Sequence, residues 1–120
     1  MNLQNFKLII VEHQPIIEIE YGGYIFDLHN AAEFIKVEYL INTNILTLYW
    51  IYYYDKGKKE TIKIIFETII IFEIMAIDSN DTFENEDTLD EIICNDKIIF
   101  CFRSGIRILV NADLVRVEKE

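Results

Sequence analysis

Ile45-Leu46-Thr47-Leu48-Tyr49-Trp50-Ile51-Tyr52-Tyr53-Tyr54 is ten residues without a glycine, a proline or a charge. β-Branched and aromatic side chains suit a pleated surface better than a helix, so the stretch reads as a strand. A half-buried antiparallel strand alternates apolar and polar residues. This one does not: Leu46, Leu48, Trp50, Tyr52 and Tyr54 lie on one face, and Ile45, Thr47, Tyr49, Ile51 and Tyr53 on the other. Ile69–Ile77 is similar, with Ile69, Ile71, Glu73, Met75 and Ile77 on one side and Ile70, Phe72, Ile74 and Ala76 on the other. Both strands are expected to be covered on two faces. The cover is another part of the same chain, a second copy or a partner protein.

Turn chemistry on either side divides the chain into short strands. Gly22-Gly23 separates Ile16–Tyr21 from Tyr24–Leu28 and supplies the positive φ angles of a type I′ hairpin. Asn42-Thr43-Asn44 precedes the ten-residue stretch, and Asp55–Lys59 leads from it into Thr61–Phe66. Asn95-Asp96 and Ser104-Gly105 mark off strands near 89–94, 97–103 and 106–111, and Asn111-Ala112-Asp113 reads as a turn before a last strand, Leu114–Glu118. Pro15 suits the start of a strand, where its missing N–H does least harm. Asn30-Ala31-Ala32-Glu33 and Thr88-Leu89-Asp90-Glu91 have the form of capping boxes and allow one short helix each. The expected fold is therefore mainly β, an antiparallel meander forming a sandwich or a partly open barrel, with at most one or two short helices. Residues 1–120 are expected to form a single domain with an acidic surface loop near 78–91.

Composition narrows the functional classes. A chain of 120 residues with 52% hydrophobic residues buries roughly 65% of its unfolded surface and needs no staple. Its net charge of -10 repels phosphate backbones, which argues against nucleic acid and serves either solubility or attraction to a basic partner. The run Leu8–Val11 is too short for a signal-peptide core, and Lys63, Glu67 and Glu73 interrupt Ile62–Ile77 too often for a membrane span. Cys94 and Cys101 are placed out of bridging range by a two-residue turn at Asn95-Asp96. These points together suggest a reducing cytoplasm.

No constellation of residues points to catalysis, a metal or a cofactor. The acidic loop fails as a calcium-binding helix-loop-helix site: Phe83 stands where a glycine is needed and Leu89 where a bidentate glutamate belongs. His13 and His29 lack cysteine or histidine neighbours at ligand spacing. Asp27 and His29 share a strand face, but no third ligand accompanies them. No serine or cysteine sits in a glycine-flanked elbow, and no phosphate-binding glycine loop occurs. The expectation is a non-enzymatic protein without a cofactor.

One order of segments carries a resemblance. Phe26-Asp27-Leu28-His29-Asn30-Ala31-Ala32-Glu33-Phe34-Ile35-Lys36-Val37-Glu38 leads into a hairpin of long strands, Ile62–Ile77 follows, and Phe100-Cys101-Phe102-Arg103-Ser104-Gly105-Ile106-Arg107-Ile108-Leu109-Val110 closes the pattern. Over residues 24–118 this resembles small, acidic, β-rich bacterial proteins grouped with the immunity proteins of polymorphic-toxin systems. Where such proteins often show His-Asp this chain has His29-Asn30, so no carboxylate role is carried over there. The resemblance implies a toxin-neutralising binder. In that reading Asp78, Asp81, Glu84, Glu86 and Asp87 steer a basic partner, and Tyr49, Trp50 and Tyr53 anchor it. The alternative is a homo-oligomeric structural or small-ligand-binding β domain, with a homodimer as the partner.

Overall fold

The computed structural model describes residues 1–76 and 88–120. Its strands are β1 (Asn2–Leu3), β2 (Phe6–Leu8), β3 (Glu18–Tyr21), β4 (Tyr24–Asp27), β5 (Ala32–Leu40), β6 (Ile45–Tyr53), β7 (Lys59–Ala76), β8 (Leu89–Cys94), β9 (Ile98–Phe102) and β10 (Ile106–Lys119). Among the described residues the helical content is one 3-10 turn, Asp55–Gly57. Neither capping-box stretch starts a helix, because Ala32 opens β5 and Leu89 opens β8. The acidic loop is correspondingly shorter at its C-terminal end, where Leu89–Glu91 belong to β8. Among the described residues no helix is long and apolar enough to cross a membrane.

The fold is mainly β. One sheet has the order β5-β6-β7-β10-β9-β8, and β1 pairs with β10; a second sheet has the order β2-β3-β4. All pairings between strands are antiparallel except that of β1 with β10. Gly22 and Gly23 take φ of 60° and 82° between β3 and β4, as the hairpin requires. The turn after β8 is longer than expected: Cys94 pairs with Ile98, which leaves three residues between them, and Cys101 pairs with Glu91. Both cysteines are free.

Two expected breaks are absent. Thr61–Phe66 and Ile69–Ala76 belong to one strand, β7, and the expected turn at Asn111-Ala112-Asp113 lies inside β10. β7 and β10 pair along almost their whole length, with a register shift between Asn111 and Ala112 and a positive φ of 56° at Thr68. The polar break in the sequence is therefore a β-bulge. A straight strand of 18 residues would span roughly 60 Å, and the molecule measures 41 Å along its longest axis, so β7 bends sharply.

The bend brings the two ends of the large sheet face to face. Trp50 and Phe66 from one half meet Phe100 from the other, with ring centroids 5.8 and 6.2 Å apart, and Phe34 meets Phe102 at 4.6 Å. The small sheet completes the core with Phe6, Ile19 and Phe26; the Phe26 ring stands edge-on to Tyr52 at 5.0 Å. A backbone bridge from Ile16 to Ile92 ties the segment before β3 to β8.

Trp50 is fully buried at the centre of this core. Its indole Nε1 has no acceptor among the described residues, which costs about 1–3 kcal/mol that the aromatic contacts must offset. Replacing Trp50 with Ala is expected to lower the unfolding free energy by about 3–5 kcal/mol in urea titration. Tyr53→Ala, on the opposite face of the same strand, should change it by less than about 1 kcal/mol.

Candidate functional site

The strand β6 sorts its side chains by parity. Leu46, Leu48 and Trp50 face the core, and Thr47, Tyr49, Ile51 and Tyr53 face outward. The register sets their neighbours: Tyr49 lies between Lys36 and Lys63, Ile51 between Glu33 and Thr61, and Tyr53 beside Lys59. Only part of this outer face is covered. Thr47 is buried, Tyr49 and Ile51 are half-buried, and Tyr53 is 46% exposed. The expected cover on both faces of β6 is thus partial: Ile65 lies beside buried Thr47, Lys36 lies over the Tyr49 ring, and Tyr53 is left half-open.

A bulge in β5 shapes this face. Counting back from the Asn42–Asn44 turn, Glu33 would fall opposite Tyr52 and point into the core. The register shift between Phe34 and Lys36 places Glu33 opposite Ile51 and Phe34 opposite Trp50. One residue of slip exchanges the faces of a strand, so this bulge turns the half-buried Phe34 ring toward the core and delivers a carboxylate to the surface. Ile35, the extra residue, is left 44% exposed.

Tyr49 is held from several sides. Its hydroxyl donates to Glu38 at 3.0 Å, Lys36 Nζ lies 4.5 Å from the ring centroid and Lys63 Nζ 5.6 Å from it. Lys63 is ion-paired to Glu120. Burial and the bond to Glu38 raise the Tyr49 phenol above its ordinary range, and the hydrogen bond to Glu120 raises the Lys63 ammonium. Ile35, Ile51 and Thr61 join these groups around a depression of about 270 Å³.

Tyr53 stands on the rim of a larger cleft of about 570 Å³, lined by residues 29–33, Tyr53, Asp55 and Thr88. Glu33 and Asp55 bring two carboxylates to it, and the Tyr53 hydroxyl lies 3.4 Å from Glu33 Oε2. Such a cleft accepts hydrogen bonds from an ammonium or a guanidinium group. His29 reaches it from a turn built by Asp27, whose carboxylate accepts from the backbone N–H of His29 and Asn30 and from the Asn30 amide. The imidazole Nδ1–H donates to the Leu89 carbonyl. The Asp27–His29 pairing in the sequence is thus a turn device that shapes the cleft.

Of the three aromatic anchors expected from the sequence, Tyr49 and Tyr53 reach the outer face. Trp50 is corrected to a core residue, because β6 turns it toward Phe34 and Phe100. Asp78, Asp81, Glu84, Glu86 and Asp87 lie outside the described residues. In the sequence Glu33 carries only a capping-box signal and Asp55 only a turn signal, and neither marks a binding site. Among the described residues no group of three His, Cys, Asp or Glu side chains is arranged to hold a metal ion. Burial pushes the Cys101 thiol up, away from the reactive thiolate. The chain matches no family model, no curated protein and no solved structure.

Tyr54 gives the region a pH signature. Burial and a 2.9 Å hydrogen bond to Glu60 push its phenol up to about 12 from 10.0. A raised phenol contributes stability that is complete below pH 10 and is lost as pH climbs through about 12. Ultraviolet titration of the 7 tyrosines should show Tyr54 ionising late, and Tyr54→Phe should flatten the fall in stability over that window.

Proposed function

We propose that the protein is a protein-binding module, an immunity-type inhibitor that occludes a basic toxin surface. The observation that carries this reading is the half-exposed Tyr53 beside Glu33 and Asp55, in a chain of net charge -10. A rigid aromatic with a polar tip supplies contact area at low entropic cost, and paired carboxylates in a cleft receive a lysine or arginine of the partner. Tyr49, Ile51 and Ile35 extend the apolar centre, and Lys36, Lys59, Lys63 and Glu120 surround it with charge, which is the anatomy of a protein interface.

The charge of Asp78, Asp81, Glu84, Glu86 and Asp87 adds long-range attraction to a basic partner. Two free cysteines support a cytoplasmic setting. The resemblance of its segment order to that of immunity proteins suggests a toxin as the partner. Binding by surface occlusion needs no catalytic group and no cofactor.

The test is affinity capture from the native host with the neighbouring genes expressed, followed by assay of what is recovered. A stoichiometric basic polypeptide whose toxicity the protein suppresses is the expected result. With that polypeptide in hand, Tyr53→Ala, or Glu33→Gln with Asp55→Asn, should weaken binding about tenfold each. Added salt should slow association. Binding indifferent to salt and to these substitutions would overturn the reading.

A further inference from the structure

The inward-facing rows of three strands run out together at one end of the core. In β6 the row Leu46, Leu48, Trp50 continues as Tyr52 and then Tyr54; in β7 the row Phe66, Ile64, Ile62 ends at Glu60; in β10 Val115 and Val117 are followed by Lys119. The β3–β4 hairpin lies over this end with Phe26, which is buried, and Tyr24, which is 65% exposed. Polar side chains therefore stand where the core opens to solvent. They surround a pocket of about 300 Å³ lined by Tyr24, Tyr54, Lys58, Glu60 and Lys119.

Most of this lining is fixed by its own contacts. Glu60 Oε2 accepts from the Tyr54 hydroxyl at 2.9 Å and pairs with Lys119 Nζ at 3.5 Å. The same ammonium lies 5.7 Å from the Tyr24 ring centroid and 6.0 Å from that of Phe26, within reach of both ring faces. Tyr54 stands edge-on to Tyr52 at 5.0 Å, and Phe26 backs Tyr52 at the same distance. Lys119 balances the Glu60 charge, and Lys58 makes the sum over the lining positive in a chain of net charge -10.

We propose that this pocket binds a small aromatic anion, a single ring bearing a carboxylate or a phosphate group. The acid group accepts from the Lys58 and Lys119 ammoniums, and the ring lies against Tyr24 and Tyr54. A pocket at the lower end of the size range for small ligands holds one ring and its acid group and has no room for a folded partner. A cationic ligand is disfavoured because Lys119 already occupies the position that the two rings and Glu60 offer to a cation. The site is separate from the Tyr53 cleft: it lies on the inward side of β6 and takes a ligand of the opposite charge.

The full chain is titrated at constant ionic strength with phenyl phosphate, benzoate, inorganic phosphate, benzyl alcohol and benzamidine, and the shifts of the Tyr24, Lys58 and Lys119 nuclear magnetic resonances are followed. The expected result is saturable binding of phenyl phosphate or benzoate at these residues, tighter than that of inorganic phosphate, benzyl alcohol or benzamidine. Lys119→Gln should weaken it about tenfold, and Lys58→Gln and Tyr24→Leu about threefold each, with the circular dichroism of the parent retained. Glu60→Gln keeps an acceptor for Tyr54 and removes the opposing charge, so it should tighten the anion. Lys97→Gln removes the same charge from the turn between β8 and β9 and should change nothing. Absence of saturable shifts at the pocket overturns the proposal. So does binding of benzamidine, benzyl alcohol or inorganic phosphate as tight as that of the aromatic anions, or an anion that Glu60→Gln weakens.

Discussion

The pairing of β7 with β10 is the constraint on which the remaining structure hangs. Every other strand of the large sheet attaches to this ribbon, β6 and β5 on one side and β9 and β8 on the other. A straight ribbon of that length would leave two thin apolar sheets with nothing to pack on. The bulge opposite Asn111 and Ala112 bends it, and Phe100 can then reach Trp50 and Phe66. On β10 the buried residues are Ile108, Val110 and Ala112, then Val115 and Val117, so the inward alternation slips by one at the bend. A slip of this kind lets one strand serve two differently oriented halves of a core.

The same device, used once more in β5, makes the candidate site. Packing Phe34 against Trp50 and Phe102 gains contacts that an unbulged strand would lose, and the consequence is that Glu33 faces solvent beside Tyr53. The packing of a core ring thereby positions a surface carboxylate. The charge of the chain is distributed unevenly around the result: the Tyr49 surroundings alternate lysine and glutamate, whereas the Tyr53 cleft holds Glu33 and Asp55.

The cleft beside Tyr53 has its own physics. The cleft offers acceptors and an aromatic rim, so its selectivity comes from charge and hydrogen bonding.

The mainly β class was legible in the sequence because its carriers are local: β-branched runs, two glycines with positive φ at Gly22 and Gly23, and asparagine at the hairpin turns. That Tyr49 and Tyr53 share one face of the strand followed from its alternation. The fate of Trp50 did not, because both faces of Ile45–Tyr54 are apolar and alternation alone cannot say which one meets the core. Asn111-Ala112-Asp113 looked like a turn, since the polar residues of a bulge and of a turn share the same chemistry. Strand continuity there depends on a partner strand more than thirty residues away. Composition and local turn chemistry thus determined the strands. The choice of buried face, the bulges and the meeting of Glu33, Tyr53 and Asp55 were decided only by tertiary packing, because each depends on which distant ring must be buried.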